Sequence, residues 1–199
     1  NFMNNFDIDN YINSQKSSTN INLDDFPEID LYMDQVIQLF ESKLNYTKRN
    51  EDDKILTKTM INNYAKGNLL MKIKNKKYTK EHMILIGLIY NLKGALSLTD
   101  IKTMFDPIIE SFSKDEDYPL YDIYESFLKI YDSNLENFDI SSKNISNHVN
   151  ELIKNKDERL GDFEEKFLLV CAFVSMSNLY RRMSEKLIDE CFSELKGGK

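Results

Sequence analysis

Six glycines and three prolines are all that punctuate 199 residues. Glycine opens the left-handed conformations that tight turns use, and proline interrupts regular hydrogen bonding. A fold of many short strands needs a turn roughly every ten residues. A chain this poor in turn formers is therefore expected to be mainly α, built from long helices. Its hydrophobic fraction of 41%, supplied by Leu, Ile, Phe, Met and Tyr without any Trp, is ample for a packed core in one large or two small domains.

Periodicity along the chain marks the helices. Asp30 is placed to cap a helix whose apolar positions are Leu31, Met33, Val36, Ile37, Phe40 and Leu44. Residues 45–53 are polar and read as a loop. Thr57 is placed to cap a second, short helix in which Met60, Ile61 and Tyr64 share a face. Gly67 and Asn68 both tolerate the left-handed conformation that stops a helix. Residues 69–78 alternate in part and predict a short β-hairpin with its tip near Asn75. Thr79 opens a third helix through Met83, Ile84, Ile86, Leu88, Ile89 and Leu92, which Gly94 can end. Ser97 or Thr99 starts a fourth through Ile101, Met104 and Phe105, and Pro107 is expected to perturb or end it.

The second half predicts helices over residues 119–138, 140–153 and 162–195, Ser141 or Ser142 being a possible cap for the middle one. In the last, Leu169, Phe173, Met176, Tyr180, Met183, Leu187 and Cys191 step by threes and fours, which predicts burial in a bundle or a dimer interface. Cys171 and Cys191 share this helix and are read as reduced core residues. Residues 1–27, rich in Asn, Asp and Ser, are read as a mobile arm.

Charge adds a second constraint. Lys54, Lys58, Lys66, Lys72, Lys74, Lys76, Lys77 and Lys80 fall in one window that holds no carboxylate. The chain's net charge of −7 becomes −15 once these eight positive charges are set aside. A compact lysine cluster repels itself unless neutralised, and a phosphate backbone is the partner that suits it best.

Residues 28–105 resemble the winged-helix reading head of MerR-type bacterial regulators, within an uncharacterised bacterial family that couples such a head to a helical tail. The stretch Ile61-Asn62-Asn63-Tyr64-Ala65-Lys66-Gly67-Asn68-Leu69-Leu70 is similar to the turn that follows the recognition helix in those proteins. Lys76-Lys77-Tyr78-Thr79 is similar to the end of their wing, and Ala95-Leu96-Ser97-Leu98-Thr99-Asp100-Ile101 to a later Gly-Phe-Ser-Leu element. The family's usual recognition Arg falls on Asn62, its first aromatic on Asn63, its glutamate on Ala65 and its wing Arg on Lys76. Its metal-binding cysteines and long exposed coiled coil have no clear counterpart.

The expectation is a mainly α protein: a mobile arm at 1–27, a winged helix-turn-helix with a short β-hairpin wing at 28–106, and a helical bundle for dimerisation or effector binding at 107–199. A recognition helix enters a major groove about 12 Å wide with polar side chains leading. Lys58, Thr59, Asn62, Asn63 and Lys66 are its candidates, with Asn62 and Asn63 as bidentate readers of adenine. Lys72, Lys74, Lys76 and Lys77 are the wing's phosphate contacts. The rings of Tyr64 and Tyr78 are expected in the head's core, and Tyr121, Tyr124, Phe127 and Tyr131 as core in preference to an effector pocket. The function that follows is sequence-specific transcriptional regulation by a cytoplasmic homodimer on double-stranded DNA. No cofactor, catalytic group, metal or membrane partner is expected, and any small-molecule effector is unidentified. His82 and His148 lie far apart, and no nucleophile converges with a base. The alternative is a winged-helix adaptor that binds protein and has lost DNA, with an enzyme the least supported reading.

Overall fold

The computed structural model describes residues 8–15, 20–114, 116–154 and 161–192. Its elements run α1 (Ile8–Gln15), β1 (Leu31–Tyr32), α2 (Met33–Leu44), α3 (Lys58–Lys66), β2 (Lys77–Tyr78), α4 (Lys80–Leu92), α5 (Leu98–Ser113), α6 (Leu120–Lys154) and α7 (Asp162–Cys191). The protein is mainly helical with one two-stranded antiparallel sheet. It divides into two compact units. One comprises residues 19–128 and 185–199, the other 1–18 and 129–184.

In the first unit α4 is the central helix. Every residue from His82 to Ile89 is buried, so apolar side chains leave it on all sides and must be met by neighbours. Val36, Phe40 and Leu44 of α2, Ile61 and Tyr64 of α3, Ile101, Phe105 and Ile108 of α5, and Leu120 and Tyr124 of α6 complete the same core. Gly87 lies where an added Cβ would sit 3.5 Å from the Tyr124 hydroxyl and 3.7 Å from the Phe26 ring, so its small size lets these rings approach α4. Ile188, on the last turns of α7, belongs to this core as well.

Several expectations are corrected here. The segment read as a mobile arm is anchored wherever it is described. Ile21 and Phe26 are fully buried, and the Tyr124 hydroxyl donates to the Ile21 carbonyl at 2.7 Å. Ile12 of α1 is buried in the other unit, while Phe2 and Phe6 lie outside the described residues. Asp30 does not cap α2. Leu31 and Tyr32 are drawn into a strand instead, and the helix begins at Met33 with the Gln35 side chain accepting from the Tyr32 N–H at 2.9 Å. Pro107 does not end α5, which runs on to Ser113. The proline denies the Thr103 carbonyl its usual donor, but Phe105 and Ile108 on either side are buried and hold the helix against the core. The helices expected at 119–138 and 140–153 are one helix of 35 residues. No glycine or proline falls within it, and Ser142 is buried mid-helix where a cap was possible.

In the second unit Ile12, Val149 and Leu169 are buried. Lys143 bridges Asp139, one turn away on α6, and Asp9 of α1 at 2.7 and 3.3 Å. The stripe read along α7 is not uniformly inside. Leu169 is buried and Phe173 and Met176 are half-buried, whereas Tyr180, Met183 and Leu187 are exposed. Both cysteines are free and exposed, contrary to their reading as core residues. No described helix is long and apolar enough to cross a membrane.

Candidate nucleic-acid interface

The short helix α3 is fixed at both ends by its own sequence. The Thr57 side chain accepts from the Met60 N–H at 3.2 Å, satisfying one of the free donors of the first turn. At the other end Asn68 takes the left-handed conformation, with φ of 55°. Its N–H donates to the Ala65 carbonyl at 3.2 Å and that of Leu69 to the Tyr64 carbonyl at 2.9 Å. This is a Schellman stop, with buried Leu69 and Tyr64 as its hydrophobic pair. Between the ends, Ile61 and Tyr64 face the core. Lys58, Thr59, Asn62, Asn63 and Lys66 are all exposed. The residues therefore sort cleanly, with one face in the core and the opposite face wholly polar, cationic and free of carboxylates.

The basic turn that follows has a different origin from the expected hairpin. Its tip is indeed at Asn75, where Asn75 and Lys76 have φ of 51° and 60° and the Lys77 N–H donates to the Lys74 carbonyl at 2.9 Å. Two successive left-handed residues closed by that bond make a type I′ turn. Lys76 sits where glycine is usual, at a cost of about 1–2 kcal/mol. The returning strand does not pair along residues 69–73. Beyond the single bridge between Lys74 and Lys77, β2 pairs with β1, Leu31 opposite Tyr78 and Tyr32 opposite Lys77. The physical reason is burial: Leu31 and Tyr78 are both inside, so the pair is held by the core.

His82 ties this approach to α4. The Thr79 N–H donates to Nδ1 at 3.1 Å, which leaves the proton on Nε2 to be donated to the Met71 carbonyl at 3.2 Å. Burial holds the imidazole's pKa below its ordinary value, opposed by the Met71 bond and by Glu81 and Asp30. The Tyr78 ring meets it edge-on with centroids 5.9 Å apart. Burial raises the pKa of Tyr64 and Tyr78, whose rings lie in the core as read from their spacing.

The eight lysines fare differently. Lys72, Lys74 and Lys76 are exposed, and among the described residues neither they nor Lys66 has an ion pair. Lys77 is half-buried, its ammonium 5.6 Å from the centre of the Tyr32 ring across the β1/β2 pair. Lys58 meets Asp34 of α2 at 2.7 Å in a pair exposed on both sides, which contributes little to stability. Lys80 is withdrawn, its side chain only 13% exposed, paired with Glu28 and 5.5 Å from the centre of the Tyr121 ring. Lys66 and Lys72 are six residues apart, so their Cα atoms are separated by at most about 20 Å. The exposed face of α3 and the turn can thus meet neighbouring phosphates of one duplex.

The long connection between α2 and α3 is pinned at both ends. Glu41 pairs with Lys48 and accepts from the Ile55 N–H at 3.4 Å, while Ile55 and Leu56 are buried. Lys48 lowers the pKa of the Glu41 carboxyl. Tyr32, Asp34 and His82, which position or oppose the candidate residues, are absent from the sequence reading because each acts across the fold. Only the sequence order Thr-x-x-His at residues 79–82 hinted at one of them, as a helix start. Among the described residues no cluster of His, Cys, Asp or Glu is arranged to hold a metal ion.

A family model described as a domain of unknown function, DUF1836, matches residues 21–127. This segment nearly coincides with the continuous part of the first compact unit, residues 19–128. No curated protein matches the chain, and no solved structure does.

Proposed function

The chain belongs to the DUF1836 family, and from that premise, which carries no activity, we propose that α2, α3 and the turn at residues 74–77 form a MerR-like winged-helix head that binds double-stranded DNA. The observation that carries this reading is the outer face of α3. Five polar or cationic side chains stand there together, on a helix capped at both ends, beside a turn with three exposed and unpaired lysines. The order of strand, helix, pinned loop, helix, type I′ turn and returning strand supports a helix-turn-helix closed by a wing.

In this reading α3 enters the major groove. Asn62 and Asn63 present an amide that can both accept from N6 and donate to N7 of adenine. Lys58, Thr59 and Lys66 hold the flanking phosphates. Lys72, Lys74, Lys76 and Lys77 contact the backbone beside the groove and add affinity without base preference. The protein acts as a cytoplasmic transcriptional regulator, and residues beyond the head dimerise it or sense a signal.

Selection of bound sequences from random duplexes, followed by sequencing, tests this. The expected result is an enriched motif in which Asn62→Ala or Asn63→Ala changes the preferred base at one position, a discrimination of about 1–3 kcal/mol. A uniform loss would make the asparagines positioning contacts only. Absence of any enrichment would favour the adaptor reading, with the cationic face meeting an acidic protein.

A further inference from the structure

We infer that the first half of α7 is the contact surface for a second copy of this chain, packed antiparallel across a two-fold axis near Val170 and Cys171. Phe163, Phe167, Val170 and Val174 recur at intervals of four, three and four residues and are 60%, 58%, 61% and 52% exposed. They line one face of the helix over about 17 Å. The opposite face, with Leu169, Ala172, Phe173 and Met176, is the one its own unit covers. Phe163 and Phe167 already stack on each other with centroids 6.3 Å apart, a ready platform for another side chain. The remaining face is thus apolar and without cover inside its unit.

Charge selects the occupant and its direction. The first turn carries Asp162, Glu164 and Glu165, and Arg181 and Arg182 follow beyond the stripe. A parallel copy sets acid against acid and base against base. An antiparallel copy brings the acidic end of one helix towards the basic end of the other, twice by symmetry. Centred near Val170, that arrangement places Phe167 against the partner's Val174 and Val170 against the partner's Cys171. The four side chains offer roughly 400 Å² per copy. This is about half of the ~800 Å² per partner of a standard interface, which points to a reversible dimer of micromolar strength. The inference needs no nucleic acid and stands apart from the proposed function.

Light scattering on the full chain at about 50 μM tests it, with twice the 23.4 kDa chain mass expected. Phe167→Glu with Val170→Glu should give the monomer mass with an unchanged helical circular dichroism spectrum, since both side chains are already exposed. Val174→Ser, a milder change, should weaken association at least threefold. A short bis-maleimide should cross-link the Cys191→Ser protein through Cys171 and leave Cys171→Ser uncross-linked. With both native cysteines replaced, Ser177→Cys should not cross-link, because antiparallel pairing separates the two copies of that position by about 20 Å. A monomeric wild type, or a dimer that survives the double glutamate change, would overturn the proposal. Cross-linking through residue 177 would overturn the antiparallel arrangement.

Discussion

α4 and α7 are both rich in large apolar residues, yet they end in opposite surroundings. In α4 eight successive residues are buried. In α7 Phe163, Phe167, Val170, Val174, Tyr180, Met183 and Leu187 are all more than half exposed. The difference lies in the neighbours. α4 is met by α2, α3, α5 and the start of α6 within one unit, so every side of it finds a partner. The first half of α7 is covered on one face only. Apolar content alone therefore states how much a helix needs to bury, and the number of elements around it sets how much it does bury. The unit that carries the family match completes its own core. The unit outside that match leaves apolar surface for something else.

The largest effect that sharpens this contrast comes from truncating the same residue type in the two units. Ile89 is fully buried and Ile140 is 62% exposed. Ile89→Ala should cost about 2–5 kcal/mol of stability, and Ile140→Ala no more than about 0.5 kcal/mol. Urea denaturation followed by circular dichroism measures both. Comparable losses would mean that the two units bury their apolar residues alike.

Protonation probes the head alone. Burial keeps the folded pKa of His82 below the usual 6.5. The unfolded chain therefore takes up a proton that the folded chain resists. This contribution to stability is complete above pH about 6.5 and is lost progressively as pH falls from there towards the folded pKa. A melting curve series from pH 8 to 5 should show a decline that His82→Asn makes shallower. Parallel declines in both proteins would remove the imidazole from the account.

A smaller effect separates shape from charge at the turn. Lys76→Gly relieves the left-handed strain and should raise stability by about 1 kcal/mol. It should also weaken DNA binding by removing one phosphate contact. Lys76→Ala loses the charge and keeps the strain, so it should bind as the glycine variant does while melting lower. The smallest expected change runs the other way. Asp34→Asn frees Lys58 and removes a negative charge beside α3, which should tighten duplex binding by about threefold at low salt. Weaker binding would mean that the carboxylate holds Lys58 in its working position.

What the sequence made legible was local. Thr57 and Ser97 cap their helices as read, with Ser97 accepting from the Asp100 N–H at 3.1 Å. The stop after Lys66 and the turn at Asn75 lie where their residues point, because left-handed asparagine is a preference of the residue itself. The illegible features depend on distance. Nothing near Leu31 announces that Tyr78 will pair with it. Nothing near Ile21 or Phe26 announces that α4 and Tyr124 will cover them. Pro107 reads as a helix end until its neighbours are seen to be buried. Exposure on α7 was beyond reach for a related reason, since a stepped apolar stripe reads the same whether or not its partner belongs to the chain. For the candidate site, the side chains on α3 and the turn were legible, while Tyr32, Asp34 and His82 were not.

The central claim is that the lysines of the turn and α3 meet phosphates, and the salt dependence of duplex binding tests it most directly. If two heads together neutralise about six phosphates, log K should fall against log salt concentration with a slope of roughly −5. Replacing Lys74 and Lys76 by Gln in both copies removes about four of those contacts and should bring the slope to about −2. A wild-type slope near zero, or one that the double replacement leaves unchanged, would contradict the account.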